Sequence, residues 1–169
     1  MDIAAGISRL FRMDEATWAR HAHPGSVYSR MTVLPLLIAA VWSRVWFDWR
    51  VALGLVAAVL VWTWLNPRLF PKPKHTDNWA SKVTFGERVW IETGRRGVPA
   101  RHRILPPALN IVSGLAVLPL IYALVVLDPL VTILAGALSF LSKLWFADRM
   151  VCLFEDVRSD EPRYEAWVR

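Results

Sequence analysis

The stretch ALNIVSGLAVLPLIYALVVLDPLVTILAGALSFLSKLW, residues 108–145, decides the fold. It contains two apolar runs, 108–127 and 130–145, which are separated only by Asp128-Pro129. A transmembrane helix needs about 20 mostly apolar residues, and aspartate before proline ends one helix and begins the next. The stretch therefore predicts a tight hairpin of two membrane-spanning helices.

A second pair of apolar runs lies earlier, at residues 31–42 and 51–65, joined by a turn around residues 47–50. Each run is shorter than a full span, so we expect both to use residues from their flanks, the first through Phe47. Backbone groups in hydrocarbon need internal partners, and residues 51–62 show no strand-like alternation. The sequence predicts an all-α polytopic membrane protein with four transmembrane helices in two tight hairpins.

Composition agrees with this interpretation. Hydrophobic residues make up 55% of the 169 residues, yet the formal net charge is +6, so apolar and basic residues must be segregated. A single cysteine, Cys152, excludes an intramolecular disulfide framework. We expect one membrane domain. Its predicted parts, in chain order, are an interfacial N-terminal segment (1–30), the first hairpin (31–65), a basic linker (66–107), the second hairpin (108–147) and a cytoplasmic tail (148–169).

Basic residues predict the orientation in the membrane. Nine Lys/Arg lie in the linker and four precede residue 31, whereas the two turns together hold only Arg44 and Arg50. Lysine and arginine accumulate in cytoplasmic segments. We therefore expect a cytoplasmic (inner) membrane protein with both termini and the linker in the cytoplasm. Tryptophans cluster at both predicted interfaces, as is typical of aromatic belts.

The N-terminal segment has the pattern of an amphipathic interfacial helix. Apolar residues share one face at helical spacing and two arginines are placed to meet anionic headgroups; these residues are Ile3, Ile7, Leu10 and Phe11, with Arg9 and Arg12. Asp14 predicts an N-cap for a further helix toward His21, which Pro24-Gly25 would end.

The linker begins with NPRLFPKPK, residues 66–74, whose prolines predict an extended segment. Residues 77–90 fit a helix capped by Asp77, but the alternation of Val83, Phe85 and Val89 also fits a strand. We favour the helix. Residues 92–99 are expected to form a turn or loop.

Five stretches in combination resemble the DUF6653 family of bacterial and archaeal membrane proteins. They are HAHPGSVYSR (21–30), NPRLF (66–70), TDNWASK (76–82), GERVW (86–90) and LWFADRM (144–150). The resemblance extends from about residue 14 to residue 158. Members of this family have asparagine where this chain has His23, which argues against a two-histidine metal site. The resemblance implies the topology and no activity or catalytic residue.

Several kinds of chemistry are not expected. All four histidines lie outside the predicted spans, at positions 21, 23, 75 and 102, so we expect no haem within the bundle. A di-metal membrane oxygenase needs many more histidines than four and is excluded as well. We predict no cofactor and no metal. Ionisable groups in spans mark ion pathways, but Arg44 and Lys143 lie near the ends of their runs. Transport would therefore need an oligomer that encloses a pore.

Polar residues at the inner interface form a candidate catalytic cluster. Histidine beside carboxylates suits general acid–base work, and arginine or lysine suits a phosphate headgroup. The candidates are His21, Asp77, Lys82, Glu87, Arg88, Asp148 and Arg149, with Glu155 and Asp156 nearby. The alternative is that the charges neutralise one another at helix ends and that His21 and His23 are capping groups. We favour this alternative for both the charged residues and the histidines.

We favour an accessory or assembly role for this membrane protein, in a homo-oligomer or with another membrane protein. Small residues that could pack between helices occur at A39-A40, G54-x-x-A57 and G136-A137. The alternative function is an interfacial enzyme that acts on a lipid or other amphiphile. A small oligomeric transporter or channel is the third possibility. Since the basic residues border apolar spans, we expect anionic lipid headgroups rather than nucleic acid as their counter-charge.

Overall fold

The computed structural model describes residues 15–94 and 97–169. Within these two ranges the regular structure is helical, without a strand. Four segments are long and apolar enough to cross a membrane, and we call them the first to fourth spans: Pro24–Val45, Trp49–Leu69, Ala100–Val126 and Pro129–Val157. The predicted all-α class with four potential spans is confirmed. The predicted interfacial helix and the Asp14 cap lie outside the described residues.

Eight α-helices occupy the described ranges. In chain order they are α1 (Glu15–His21), α2 (Pro24–Met31), α3 (Val33–Trp42), α4 (Trp49–Leu69), α5 (Trp79–Glu92), α6 (Leu105–Val126), α7 (Pro129–Val157) and α8 (Pro162–Glu165). Short 3-10 turns lie at Ser43–Val45 and Ala100–His102. The first span combines α2, α3 and the first 3-10 turn. The second span is α4, α6 forms most of the third, and the fourth is α7.

The first span begins earlier than the apolar run indicates. His23 is the N-cap of α2, and its Nδ1 accepts a hydrogen bond from the Gly25 amide at 3.1 Å. Pro24 occupies the first turn, where its missing N–H has no cost. The span therefore gains length from the polar stretch before Met31 as well as from the flank that follows Trp42. As a result Arg30 lies within the first span.

Two other helices extend beyond the predicted boundaries. The second span continues through Pro67 to Leu69, so the first part of the segment predicted as extended is helical. Pro67 is tolerated because it lies in the last turn, where few intrahelical bonds remain to be lost. The fourth span continues to Val157. Residues 148–157 are helical because their apolar side chains, such as Met150 and Leu153, face a packed core.

The linker helix predicted over residues 77–90 is confirmed as α5, and the strand alternative is wrong. Its N-cap is Asn78 rather than Asp77, since the Asn78 Oδ1 accepts from the Ser81 amide at 3.0 Å. A capping side chain reaches the amide of the third helical residue, and the helix begins at Trp79. Asp77 instead forms an ion pair with Lys82.

Both hairpin turns lie where the sequence places them. Asp48 and Asp128 are the N-caps of α4 and α7. At this end of the spans, which we call the turn end, Arg44 donates hydrogen bonds to the carbonyls of Leu124 and Val125 in the last turn of α6. These carbonyls have no partner within their own helix. Arg44 therefore joins the first hairpin to the second.

The spans expose most of their apolar surface. Side chains such as Leu118, Val125 and Ile133 are 64–67% exposed. Only Ala52, Asn66 and Pro67 are buried along the second span, which lies at the edge of the bundle. Apolar exposure on this scale is typical of helices that contact hydrocarbon or another protein rather than water.

A compact core lies at the opposite end, which we call the basal end. It joins α5, the start of α6, α8 and the last three turns of α7 around Phe85, Phe146, Met150 and Phe154, all buried. Gly86 is central to this packing. A Cβ atom built there would lie 1.9 Å from the Met150 carbonyl oxygen, so α5 and α7 are in direct backbone contact.

Candidate functional site

The predicted interfacial cluster separates into several groups. Lys82 pairs with Asp77 at 2.5 Å and Glu155 at 2.6 Å. Arg88 pairs with Glu15 and Glu92. Asp148 pairs with its neighbour Arg149 at 2.7 Å, and Asp156 contacts Arg101 and His102. His21 contacts Arg30, and Glu87 lines the same groove as Arg30. The nine residues do not share one site.

The Lys82 group is an exposed clamp. It ties the start of α5 to the end of α7, and the Asp77 side chain is 63% exposed. Hydrogen bonding from Lys82 holds the pKa of the Asp77 carboxyl below its ordinary value. A carboxylate kept ionised by a paired lysine is a poor proton donor. This group therefore stabilises the packing of two helices.

The Arg88 group is likewise neutralised by its partners. The buried guanidinium donates hydrogen bonds to Glu15 and Glu92 and lies 4.5 Å from the centroid of the Trp167 ring. Two carboxylates and an aromatic face occupy its donors. Arg88 therefore joins α1, α5 and the C-terminal segment.

A groove of about 430 Å³ lies between the first span, α5 and the fourth span. Its walls are mainly apolar and include Val27, Leu34, Leu37, Val83, Phe140 and Leu144. Three charged side chains also line it, Arg30, Glu87 and Lys143. The groove thus combines an apolar surface with a polar group of net charge +1.

Arg30 is held in position by neutral acceptors. Its Nε donates to the Ser26 carbonyl at 3.2 Å, and one terminal nitrogen lies 2.8 Å from the His21 Nδ1. Burial, and secondarily the charge of Arg30, lowers the pKa of His21 to about 3. His21 is therefore neutral near pH 7 and acts as a hydrogen-bond acceptor that orients Arg30.

Lys143 and Glu87 complete the charged part of the groove. The Lys143 Nζ lies 3.8 Å from the Glu87 carboxylate, which is longer than a hydrogen bond, and 4.1 Å from the centroid of the Phe146 ring. The ammonium group is half-exposed. Its donors therefore remain available to an anionic group that enters the groove.

The apolar surface continues toward the turn end. Leu34 and Phe140 also line an adjoining cleft of about 370 Å³ between the first and fourth spans, together with Ile38, Trp42 and Ile133. The two spaces form a path that begins at the charged groups and follows the length of the spans.

The predicted cluster contains His21 and Glu87 but not Arg30, and Lys143 was predicted only to lie near the end of a span. Arg30 is the last residue of the HAHPGSVYSR stretch, and its place there is the sequence signal that could have identified it. The chain brings these residues together from three segments far apart in sequence.

Most other residues of the shared stretches have structural roles. The fully buried Asn66 side chain accepts a hydrogen bond from Ser26 at 2.6 Å and donates to Ser29 at 2.6 Å, which joins the first two spans. Ser81 donates to the Ala22 carbonyl at 2.7 Å. Thr76 fixes the C-terminal segment through the Trp167 carbonyl. Within the described residues, no group of three His, Cys, Asp or Glu side chains could hold a metal ion.

Comparison with known proteins places the chain in a family. No curated protein and no solved structure matches it significantly. A model of a family of unknown function, DUF6653, matches residues 2–168. With its four potential membrane spans and almost its entire length matched, this chain belongs to the DUF6653 family.

Proposed function

We propose that the protein is an integral membrane protein that binds an anionic amphiphile in the groove between the first span, α5 and the fourth span. The observation that supports this function is the placement of Arg30 and Lys143 at one end of an apolar path between two spans. An anionic head would contact the two cations, and the apolar chain would lie along Leu34 and Phe140.

The depth of the charges fits a lipid head. Arg30 lies fifteen residues from Val45 and Lys143 fourteen residues from Pro129, so each lies about 21–22 Å along its span from the turn end. The hydrocarbon core is about 30 Å thick. Both cations would therefore lie within about 10 Å of the opposite boundary, where long side chains reach headgroups. If the basic linker is cytoplasmic, as its charge favours, this is the inner leaflet.

The net charge of the groove determines which lipid headgroup it prefers. Glu87 offsets one of the two cations, which leaves a net charge of +1 among the three groups. A phosphate or carboxylate head would replace the long Lys143–Glu87 contact with a closer one. A zwitterionic choline head would add a cation near Arg30. We therefore propose that anionic lipids or fatty acids are bound in preference to phosphatidylcholine.

Native mass spectrometry of the full chain in neutral detergent tests this function, with phosphatidylglycerol and phosphatidylcholine as probes. Lys143→Gln should weaken phosphatidylglycerol binding about fivefold, since a basic residue near a membrane surface contributes about 1 kcal/mol. Lys74→Gln is the matched control, because Lys74 is exposed in the linker and does not line the groove.

A second pair of variants tests the apolar path. Leu34→Trp should reduce lipid retention because Leu34 lines both spaces, whereas Leu36→Trp should not, because Leu36 is 46% exposed and lines neither. Equal retention of phosphatidylglycerol and phosphatidylcholine by the protein would exclude the proposed site. Equal effects of Leu34→Trp and Leu36→Trp, or of Lys143→Gln and Lys74→Gln, would also exclude it.

A second candidate function is the accessory role, through helix packing of the second span. Gly54 has no atom within 4 Å of a built Cβ, and Ala57 is exposed, so the G54-x-x-A57 face is open. Gly136 differs, because Ile38 of the same chain fills the space beside it at 3.0 Å. We propose the same span of a second copy as the partner, because small-residue faces of parallel helices are self-complementary.

Its test is the oligomeric state in mild detergent. Gly54→Ile should convert a dimer to a monomer, since a branched side chain keeps the two backbones apart. Gly114→Ile is the control, because Gly114 also has open space around it but lies on the third span. A monomeric wild-type protein, or equal disruption by both variants, would refute this partner.

A further inference from the structure

A separate cavity of about 640 Å³ lies at the basal end. Its wall is formed by α1, the middle of α5, the linker before Thr76 and the C-terminal segment. It shares no lining residue with the groove that contains Arg30. Its volume is within the range of about 300–1,000 Å³ that is usual for small-molecule sites.

The lining of this basal cavity is strongly basic. Five cationic residues, Arg20, Lys72, Arg88, Arg163 and Arg169, surround it with a single acidic side chain, Glu15. Arg88 is balanced by Glu15 and Glu92, and Arg163 by Glu92 and Glu161. Across residues 15–94 and 97–169, the side chains of Arg20 and Lys72 have no carboxylate partner. The cavity therefore has excess positive charge.

Aromatic rings supply the second part of the site. Trp18 and Trp167 are half-buried and line the cavity together with the buried Phe85. Trp167 is fixed in place, because Phe154 stacks on it with an interplanar angle of 9° and the Arg88 guanidinium lies 4.5 Å from its ring centroid. These two neighbours cover the Trp167 ring, so Trp18 is the lining tryptophan that we assign to a ligand. A rigid ring face is a surface on which a planar group stacks.

The C-terminal segment holds this wall against the linker. The Thr76 amide donates to the Arg169 carbonyl at 3.0 Å, and the Arg169 amide donates to the Thr76 hydroxyl at 2.8 Å. These bonds place Trp167 and the Arg169 side chain on the same wall as Lys72. Positive charge and aromatic surface are thus combined without a ligand being needed to assemble them.

We propose that the basal cavity binds a phosphate group attached to a planar ring, the chemistry of a mononucleotide-sized organic phosphate. Arg20 and Lys72 contact the phosphate, and the ring stacks against Trp18. Hydrophobic lining beside the cations favours such a ligand over inorganic phosphate, which presents charge alone. A phosphorylated lipid head could supply the same phosphate chemistry from the membrane.

Calorimetric titration of the full chain in phosphatidylcholine nanodiscs tests the proposal, with adenosine monophosphate and inorganic phosphate as probes. Adenosine monophosphate should bind more tightly than inorganic phosphate. Lys72→Gln and Arg20→Gln should each weaken its binding about fivefold, and Lys74→Gln should leave it unchanged. The Lys74 side chain is the matched control because it lies two residues from Lys72, is exposed, and does not line the cavity.

Nanodiscs that contain phosphatidylglycerol distinguish the two sources. Unchanged adenosine monophosphate affinity at constant ionic strength assigns the cavity to a soluble ligand. If phosphatidylglycerol weakens adenosine monophosphate binding to the wild type but not to Lys72→Gln, the cavity is assigned to a lipid phosphate. Absence of any phosphate binding that depends on Lys72, or an equal loss with Lys74→Gln, overturns the proposal. The groove variant Lys143→Gln should leave this binding intact, so failure at one site does not imply failure at the other.

Discussion

Replacement of Gly86 by alanine tests the central packing contact of the protein. The added Cβ would lie 1.9 Å from the Met150 carbonyl oxygen and 2.5 Å from its carbonyl carbon, whereas ordinary contacts begin at 3.4 Å. The obstacle is helix backbone, which cannot rotate aside as a side chain does. Helices α5 and α7 would therefore have to separate by about 1.5 Å, the difference between these distances.

The expected cost follows from two opposing effects. Inserting a methyl group into a packed core costs about 1–3 kcal/mol, and we take the upper value because the neighbour is rigid. Alanine is favoured over glycine within a helix by about 1 kcal/mol. The free energy of unfolding should therefore fall by about 2 kcal/mol. The separation would also loosen the contacts of Phe85 with Phe154.

Reversible unfolding in mixed micelles, followed by circular dichroism, measures this change. Gly54→Ala and Gly114→Ala are matched controls, since neither site has an atom within 4 Å of the built Cβ. Both controls should be as stable as the wild type or slightly more stable. If Gly86→Ala has the same free energy of unfolding as the controls, the inferred backbone contact between α5 and α7 is wrong.

Two further predictions concern buried polar groups at the base of the spans. Asn66→Ala should lower the free energy of unfolding by about 1–3 kcal/mol, because the buried Ser26 hydroxyl loses its acceptor and the hydrogen bond to Ser29 is also lost. Asn110→Ala, at an exposed position, is the control and should change the free energy of unfolding little. Equal effects of the two variants in the same unfolding assay would contradict a stabilising role of the Asn66 hydrogen bonds. Burial and then the charge of Arg30 lower the pKa of His21 from 6.5 to about 3, so below pH 6.5 the unfolded chain takes up a proton that the folded chain does not. Stability should be constant above about pH 6.5 and fall toward pH 3, by at most about 1.4 kcal/mol per pH unit. His21→Gln should flatten this dependence, and an unchanged pH profile would contradict the assignment.

The sequence predicted those features that depend on neighbouring residues. Hydropathy located four spans, and Asp48 and Asp128 marked the two turns, because aspartate is a favoured N-cap residue. Periodicity favoured a helix over residues 77–90. It did not identify Asn78 as the cap, because two adjacent capping residue types were available and only the start of the helix decided between them.

Sequence reasoning was weakest where polar residues continue a span. The stretch before Met31 looked like a collar, yet it forms the first two turns of the first span because Asn66 satisfies its serines from the neighbouring helix. Likewise the residues after Trp145 remained helical because α5 covers their apolar face. Hydropathy averages cannot detect partners supplied by another segment.

What the sequence determined alone is therefore the helices and their capacity to span a membrane: the apolar runs are long enough to cross one and, as helices, close their own hydrogen bonds. Tertiary structure decided which charges meet. Whether Arg30 faces Glu87 and Lys143, or Lys82 faces Glu155, depends on how each helix is rotated about its axis, and that rotation is set by contacts such as Gly86 against Met150. Such contacts join residues more than sixty positions apart, so local pattern gives no information about them.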